Sequence, residues 1–250
     1  DLAKEPVAIA KENMRLNRVY NHLLEDMPKG NGRPVLVLPG FMESDYITRS
    51  LRGYLKDLGY NAHGWKGGVN TGLGRDVHDH LLARVEALYD KYQYPVALIG
   101  HSLGGLYARL VAHQRPDHVD TIITSGTPFA ASEDLNIVAW HARALYNAIN
   151  IGEIEFDISA FQQIVKETPQ LPTTSIYTRK DGVVDWRGCL HVGDDDRGEN
   201  VEVATCHVAM LFNAESYCII GDRLAQDPQD WQPFDSRRYP ALRWPTMHCN

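Results

Sequence analysis

The 250 residues are 44% hydrophobic and 23% charged, an ordinary globular composition far from the low-hydrophobicity, high-charge regime of disorder. With 25 Lys and Arg against 32 Asp and Glu, the net charge is −7, and no basic cluster is longer than Arg237-Arg238, which excludes a nucleic-acid binder. No apolar run approaches the roughly 18 residues of a membrane-spanning helix, so no transmembrane segment is expected.

The N-terminus, Asp1 to Pro6, lacks the basic, apolar, small-residue order of a signal peptide. That points to a cytoplasmic protein; with no initiator Met, a removed leader and secretion stay open. Val35-Leu36-Val37-Leu38 is a near-continuous apolar strand ending in Pro39-Gly40. A helix follows from about Tyr46 to Leu58, with Ile47, Leu51, Tyr54, Leu55 and Leu58 on one face and Gly59 where a C′ glycine belongs. Val77, Leu81, Val85 and Leu88 carry the next helical stripe. Val96 to Gly100 is a second buried strand and Leu103 to His113 its helix. Val119 to Ser125, Thr174 to Thr178 and Val201 to Ala204 follow as strands, and Asn213 to Ala225 is a closing helix.

Buried strands alternating with amphipathic helices specify an α/β fold, a mostly parallel sheet with helices on both faces. The alternation breaks between Phe129 and Pro172, where two helical patterns, Leu135 to Ile149 and Ile158 to Lys166, have no strand between them. The first is apolar on more than one side. It either packs between the sheet and a neighbour or caps a pocket. Set against roughly 150 residues per domain, the length then reads as one domain over 1–250 with a helical cap insertion at about 129–172. Cys189, Cys206, Cys218 and Cys249 match no zinc spacing; inert thiols are expected, with one disulfide as the alternative.

Gly100-His101-Ser102-Leu103-Gly104 is a G-x-S-x-G segment directly after a strand and directly before a helix. A serine hydroxyl is a weak nucleophile unless it is exposed beside a base. A sharp strand-to-helix turn provides the exposure, small neighbours tolerate it, and the helix N-terminus offers free N–H groups to an oxyanion. An acid and then a histidine should follow, each just past a strand. Asp181 and Asp185 both follow the strand at Thr174. Asp181, nearer the strand end and before Gly182, is preferred, while Asp185 is expected to face solvent or cap a turn. His207 directly follows the strand at Val201. His191 lies in a polar loop, His248 is among the last three residues, His78 and His80 flank Asp79 on different helix faces, and packing is the expected role of His101. Of the two oxyanion donors, one is the backbone N–H of Leu103 and the other that of Phe41, in the loop after the first strand.

Leu38-Pro39-Gly40-Phe41, Gly100 to Gly105, Ser125-Gly126-Thr127-Pro128, Asp181-Gly182-Val183-Val184 and Cys206-His207 together resemble the α/β-hydrolase superfamily, in particular its lipase and esterase-like serine hydrolases. The resemblance implies Ser102, Asp181 and His207 as a catalytic triad, Phe41 and Leu103 as oxyanion donors, a small apolar acyl ester as substrate, and no metal or organic cofactor. One departure is Pro39-Gly40 where many lipases have His-Gly, which leaves the outer hydrogen bonds of that loop unassigned. The superfamily also holds thioesterases, lactonases, amidases and non-catalytic binding members, so the fold does not fix the substrate.

Overall fold

The computed structural model describes residues 4–72, 74–130, 158–192 and 197–245. Six strands form one parallel sheet: β1 (Pro34–Leu38), β2 (Asn61–Gly64), β3 (Val96–His101), β4 (Val119–Ser125), β5 (Thr173–Tyr177) and β6 (Gly198–Glu202), in the order β2-β1-β3-β4-β5-β6. The helices are α1 (Glu5–Asp26), α2 (Arg49–Asp57), α3 (Arg75–Tyr92), α4 (Leu103–Gln114), α5 (Ile158–Lys166) and α6 (Ala214–Ala225).

Side chains alternate across the strands, so each central strand feeds two cores. Val35, Val37, Ala97, Ile99 and Ile123 pack with Leu16 and Leu23 of α1, Leu51 and Leu55 of α2, and Tyr217 and Ile220 of α6. Leu36, Leu38, Leu98 and Ile122 face the other way, against Leu81 and Val85 of α3, Leu106 and Leu110 of α4, and Phe161 and Val165 of α5. Every residue of β1 and β3 is buried, which is why both read as continuous apolar runs. The expected α/β architecture with helices on both faces is present.

Three elements differ from expectation. The last strand is shifted: β6 pairs with β5 through Gly198–Glu202 rather than through Val201–Ala204, with Tyr177 opposite Glu202. β2 and α1 were not anticipated. β2 and β6 are the two edges of the sheet, half-exposed and rich in polar residues, so ladder hydrogen bonds form them without an apolar signature. Gly59 does take the left-handed conformation expected of it, with φ 102°.

Only the last part of the insertion is described. α5 coincides with the second expected helix and is pinned to α4: the buried Arg109 guanidinium donates to the carbonyls of Val165, Lys166 and Glu167 at the α5 C-terminus, where a cation is favoured. The expected helix at 135–149 lies outside the described residues. Cys189, Cys206 and Cys218 are free thiols, and Cys249 lies outside the described residues. No described helix is long and apolar enough to cross a membrane.

Candidate active site

All the candidate residues gather at the carboxyl ends of the parallel strands, where open α/β sheets carry their sites. Ser102 joins β3 to α4 with φ 51° and ψ −120°, a strained conformation for a residue with a Cβ. Three glycines make the turn possible. A Cβ on Gly100 would meet the backbone of Gly104 and Gly105, one on Gly104 would meet the backbone of Leu38 and Pro39, and one on Gly105 would meet Thr127. The turn is also tied down from β4, since Ser102 N–H donates to Ser125 O (2.8 Å) and Thr127 Oγ1 donates to Ser102 O (3.0 Å).

The acid and the histidine meet. Nδ1 of His207 lies 2.6 Å from Oδ2 of Asp181, with both side chains almost wholly buried. The second oxygen of Asp181 accepts Val183 N–H (2.8 Å) and Val184 N–H (2.9 Å), so the carboxylate is fixed at both ends. Two threonines set these loops: Thr178 Oγ1 accepts from Lys180 N–H and donates to Thr205 O (2.6 Å), joining the acid loop to the histidine loop. Glu5 of α1 reaches across the fold to accept Val208 N–H (3.1 Å) and Ala209 N–H (3.3 Å), immediately after His207. Asp185 caps the short turn Trp186–Cys189 by accepting Arg187 N–H, as the sequence suggested, and among the described residues makes no hydrogen bond to His207. Among the described residues, Ser102 Oγ makes no hydrogen bond to His207; such contacts often tighten only when substrate is bound.

The other histidines are occupied elsewhere. His78 pairs with Asp79 and Gln114, His80 with Trp65 O, and the His191 ring packs on Phe129. His248 lies outside the described residues. His101 is the exception to its expected packing role, because its ring is ion-paired with Glu43.

The loop after β1 explains how Pro39-Gly40 manages without the His-Gly of many lipases. Asn70 Nδ2 donates to Pro39 O (2.9 Å), Gly40 N–H to Glu43 Oε2 (2.6 Å), Glu43 N–H to Gly40 O (3.1 Å), Met42 N–H to Asn70 O (2.7 Å) and Asn70 N–H to Glu43 O (2.7 Å). Tyr107 of α4 in turn donates to Asn70 Oδ1 (3.0 Å). Phe41 N–H is left without an acceptor among the described residues, as is Leu103 N–H at the start of α4. Neither Glu43 nor Asn70 stood out in the sequence, where they are single polar residues in glycine-bearing loops.

Among solved structures, similar folds include Aspergillus fumigatus lipase B (TM-score 0.59, 16% identity, covering 81% of this chain and 57% of that one) and a Paleococcus ferrophilus monoacylglycerol lipase (TM-score 0.55, 15% identity, covering 77% and 95%). The chain has the fold of the α/β-hydrolases. Residues 69–156 match the family model of the PGAP1-like alpha/beta domain. The chain is also 28% identical over 255 residues to a GPI inositol-deacylase of Xenopus laevis, an alignment that covers 87% of this chain and 27% of that protein. It therefore spans about a quarter of the length of that relative.

Proposed function

We propose that this chain cleaves carboxylic esters by an acyl-enzyme route, with Ser102 as nucleophile, His207 as general base and acid, and Asp181 as its orienting carboxylate. The observation that carries the reading is the strained Ser102 turn sharing the carboxyl end of the sheet with the buried Asp181–His207 pair at 2.6 Å. Nε2 of His207 takes the Ser102 Oγ proton as Oγ bonds to the acyl carbon, and Asp181 holds Nδ1–H and stabilises the imidazolium. Phe41 and Leu103 N–H groups receive the tetrahedral oxyanion, which collapses as His207 returns the proton to the leaving alkoxide. Water then attacks the acyl carbon, His207 takes its proton, and the acid leaves as Ser102 is regenerated. The residues that act are those of the chain itself, and the scheme asks for no metal or cofactor.

The neighbouring lipases and the relative named as an inositol deacylase support an acyl ester, because inositol offers only hydroxyls to an acyl group. Phe41 and the exposed Met42 add apolar surface beside the reacting carbon, in keeping with an apolar acyl group. The domain reading, one unit over 1–250 with a helical cap insertion at about 129–172, belongs to the same proposal.

A panel of nitrophenyl esters of increasing acyl length, run beside a matched thioester, lactone and anilide, tests it. The expected result is saturable turnover of the esters with a preferred chain length. Turnover confined to the thioester, lactone or anilide would replace the ester assignment, and no turnover of any of them would favour a non-catalytic binding role.

A further inference from the structure

His101 is buried beside the nucleophile, with 2% of its side chain exposed, and both ring nitrogens face oxygens. Nε2 lies 3.2 Å from the backbone carbonyl of His207, which can only accept, so Nε2 carries a proton. Nδ1 lies 3.0 Å from Oε1 and 3.1 Å from Oε2 of Glu43, an acceptor when ionised, which places the second proton there. The same carboxylate takes Gly40 N–H at 2.6 Å, next to Phe41 in the chain. A Cβ on Gly40 would come within 3.1 Å of both His101 Nδ1 and Ser102 Cβ, so loop, ring and nucleophile are in mutual contact. One ring thus links the loop after β1 to the histidine loop after β6, and nothing in the scheme above uses it.

We propose that Glu43 and His101 are positioning residues, a buried carboxylate–imidazolium pair that fixes the Gly40-Phe41 peptide and the His207 backbone relative to each other. The inference rests on the serine-hydrolase reading. The titratable groups facing the His101 ring are Glu43 from the β1–α2 loop, Asp181 from the loop after β5 and His207 from the loop after β6, whose ring centroid is 4.9 Å away. Burial works against the charged imidazole, but the Glu43 carboxylate, the His207 carbonyl and Asp181 outweigh it and hold His101 above its ordinary value. For Glu43 burial likewise opposes the charge, and His101 and the Gly40 N–H outweigh it and hold the carboxyl below its ordinary value. The stability that Glu43 adds is present above the ordinary carboxylate range and lost as pH falls through its lowered value. The His101 part is present below about 6.5 and lost as pH rises through its raised value.

Two variants and one spectrum test the pair. Glu43→Ala frees Gly40 N–H and leaves His101 unpaired, and kcat for a short nitrophenyl ester should fall by up to about 100-fold, the lower range for loss of one oxyanion donor, with KM changed less than about threefold. Glu43→Gln can still accept Gly40 N–H and donate to a neutral His101, so it should recover most of kcat. In a nitrogen NMR titration of the ring, wild-type His101 should keep its second proton to a higher pH than an ordinary histidine, ~6.5, and to a higher pH than His101 of the Glu43→Gln protein. A wild-type ring that loses its second proton at or below the ordinary histidine value, or a folded Glu43→Ala protein with unchanged kcat, would overturn the proposal. The spectrum needs no turnover and so stands if Glu43→Ala does not fold. An inert wild type with a doubly protonated His101 would sink the hydrolase reading and the positioning role with it, leaving a structural ion pair.

Discussion

Replacing Ser102 with alanine should leave the fold intact and lower ester hydrolysis by on the order of a millionfold, the size of loss seen when the nucleophile of a comparable triad is removed. The fold should survive because alanine keeps the Cβ and therefore the same steric demand at φ 51°. The ties to Ser125 and Thr127 that hold this turn are made by the backbone of residue 102, and the close contacts of Gly100, Gly104 and Gly105 do not involve its hydroxyl. What disappears is the hydroxyl proposed to attack. A small rate above water should persist, because the free Phe41 and Leu103 N–H groups still polarise a bound carbonyl. Circular dichroism and steady-state kinetics on the same preparation check both halves, and an unaltered rate would remove Ser102 from the reaction.

Asp181→Asn should cost about 10⁴-fold in kcat with little change in stability. Asparagine Oδ1 can go on accepting the N–H groups of Val183 and Val184, so the turn after β5 keeps its hydrogen bonds. Its Nδ2 would then point a donor at His207 Nδ1, now 2.6 Å from a carboxylate oxygen. The imidazole is forced into the tautomer with the proton on Nε2, where it can no longer accept from Ser102. Asp185→Asn is the internal control: Asp185 caps a turn through Arg187 N–H, and its amide should give near wild-type kcat. Equal losses from the two substitutions would undo the assignment of the acid.

The parts of this molecule legible in the sequence are those where one segment carries its own constraint. β1 and β3 are buried on both faces and so announce themselves as apolar runs. The turn at Ser102 needs glycines at 100, 104 and 105 for purely local steric reasons, and they stand there in order. Asp181 and His207 are found because each follows a strand. The edge strand β2 gave no such signal and β6 gave one only at its C-terminal end, since half of each faces away from the cores and backbone pairing defines them. The α1 stripe of Leu16, Val19, Tyr20, Leu23 and Leu24 is helical in spacing, but its partners on α6 are some 200 positions away, and only the fold reveals that Glu5 and Arg15 reach Ala209 and Glu215. Glu43 and Asn70 escape for the same reason: each acts through partners on other loops, and nothing local marks them.

The claim on which the rest depends is that Ser102 is an activated nucleophile. A fluorophosphonate probe followed by peptide mass spectrometry tests this most directly, because an ordinary serine hydroxyl does not react with it. One label per chain on the peptide carrying Ser102 is the result expected of the native protein, abolished by heat-unfolding before exposure and by His207→Ala. A native, folded chain that takes up no label, or takes it up at another serine, would contradict the account.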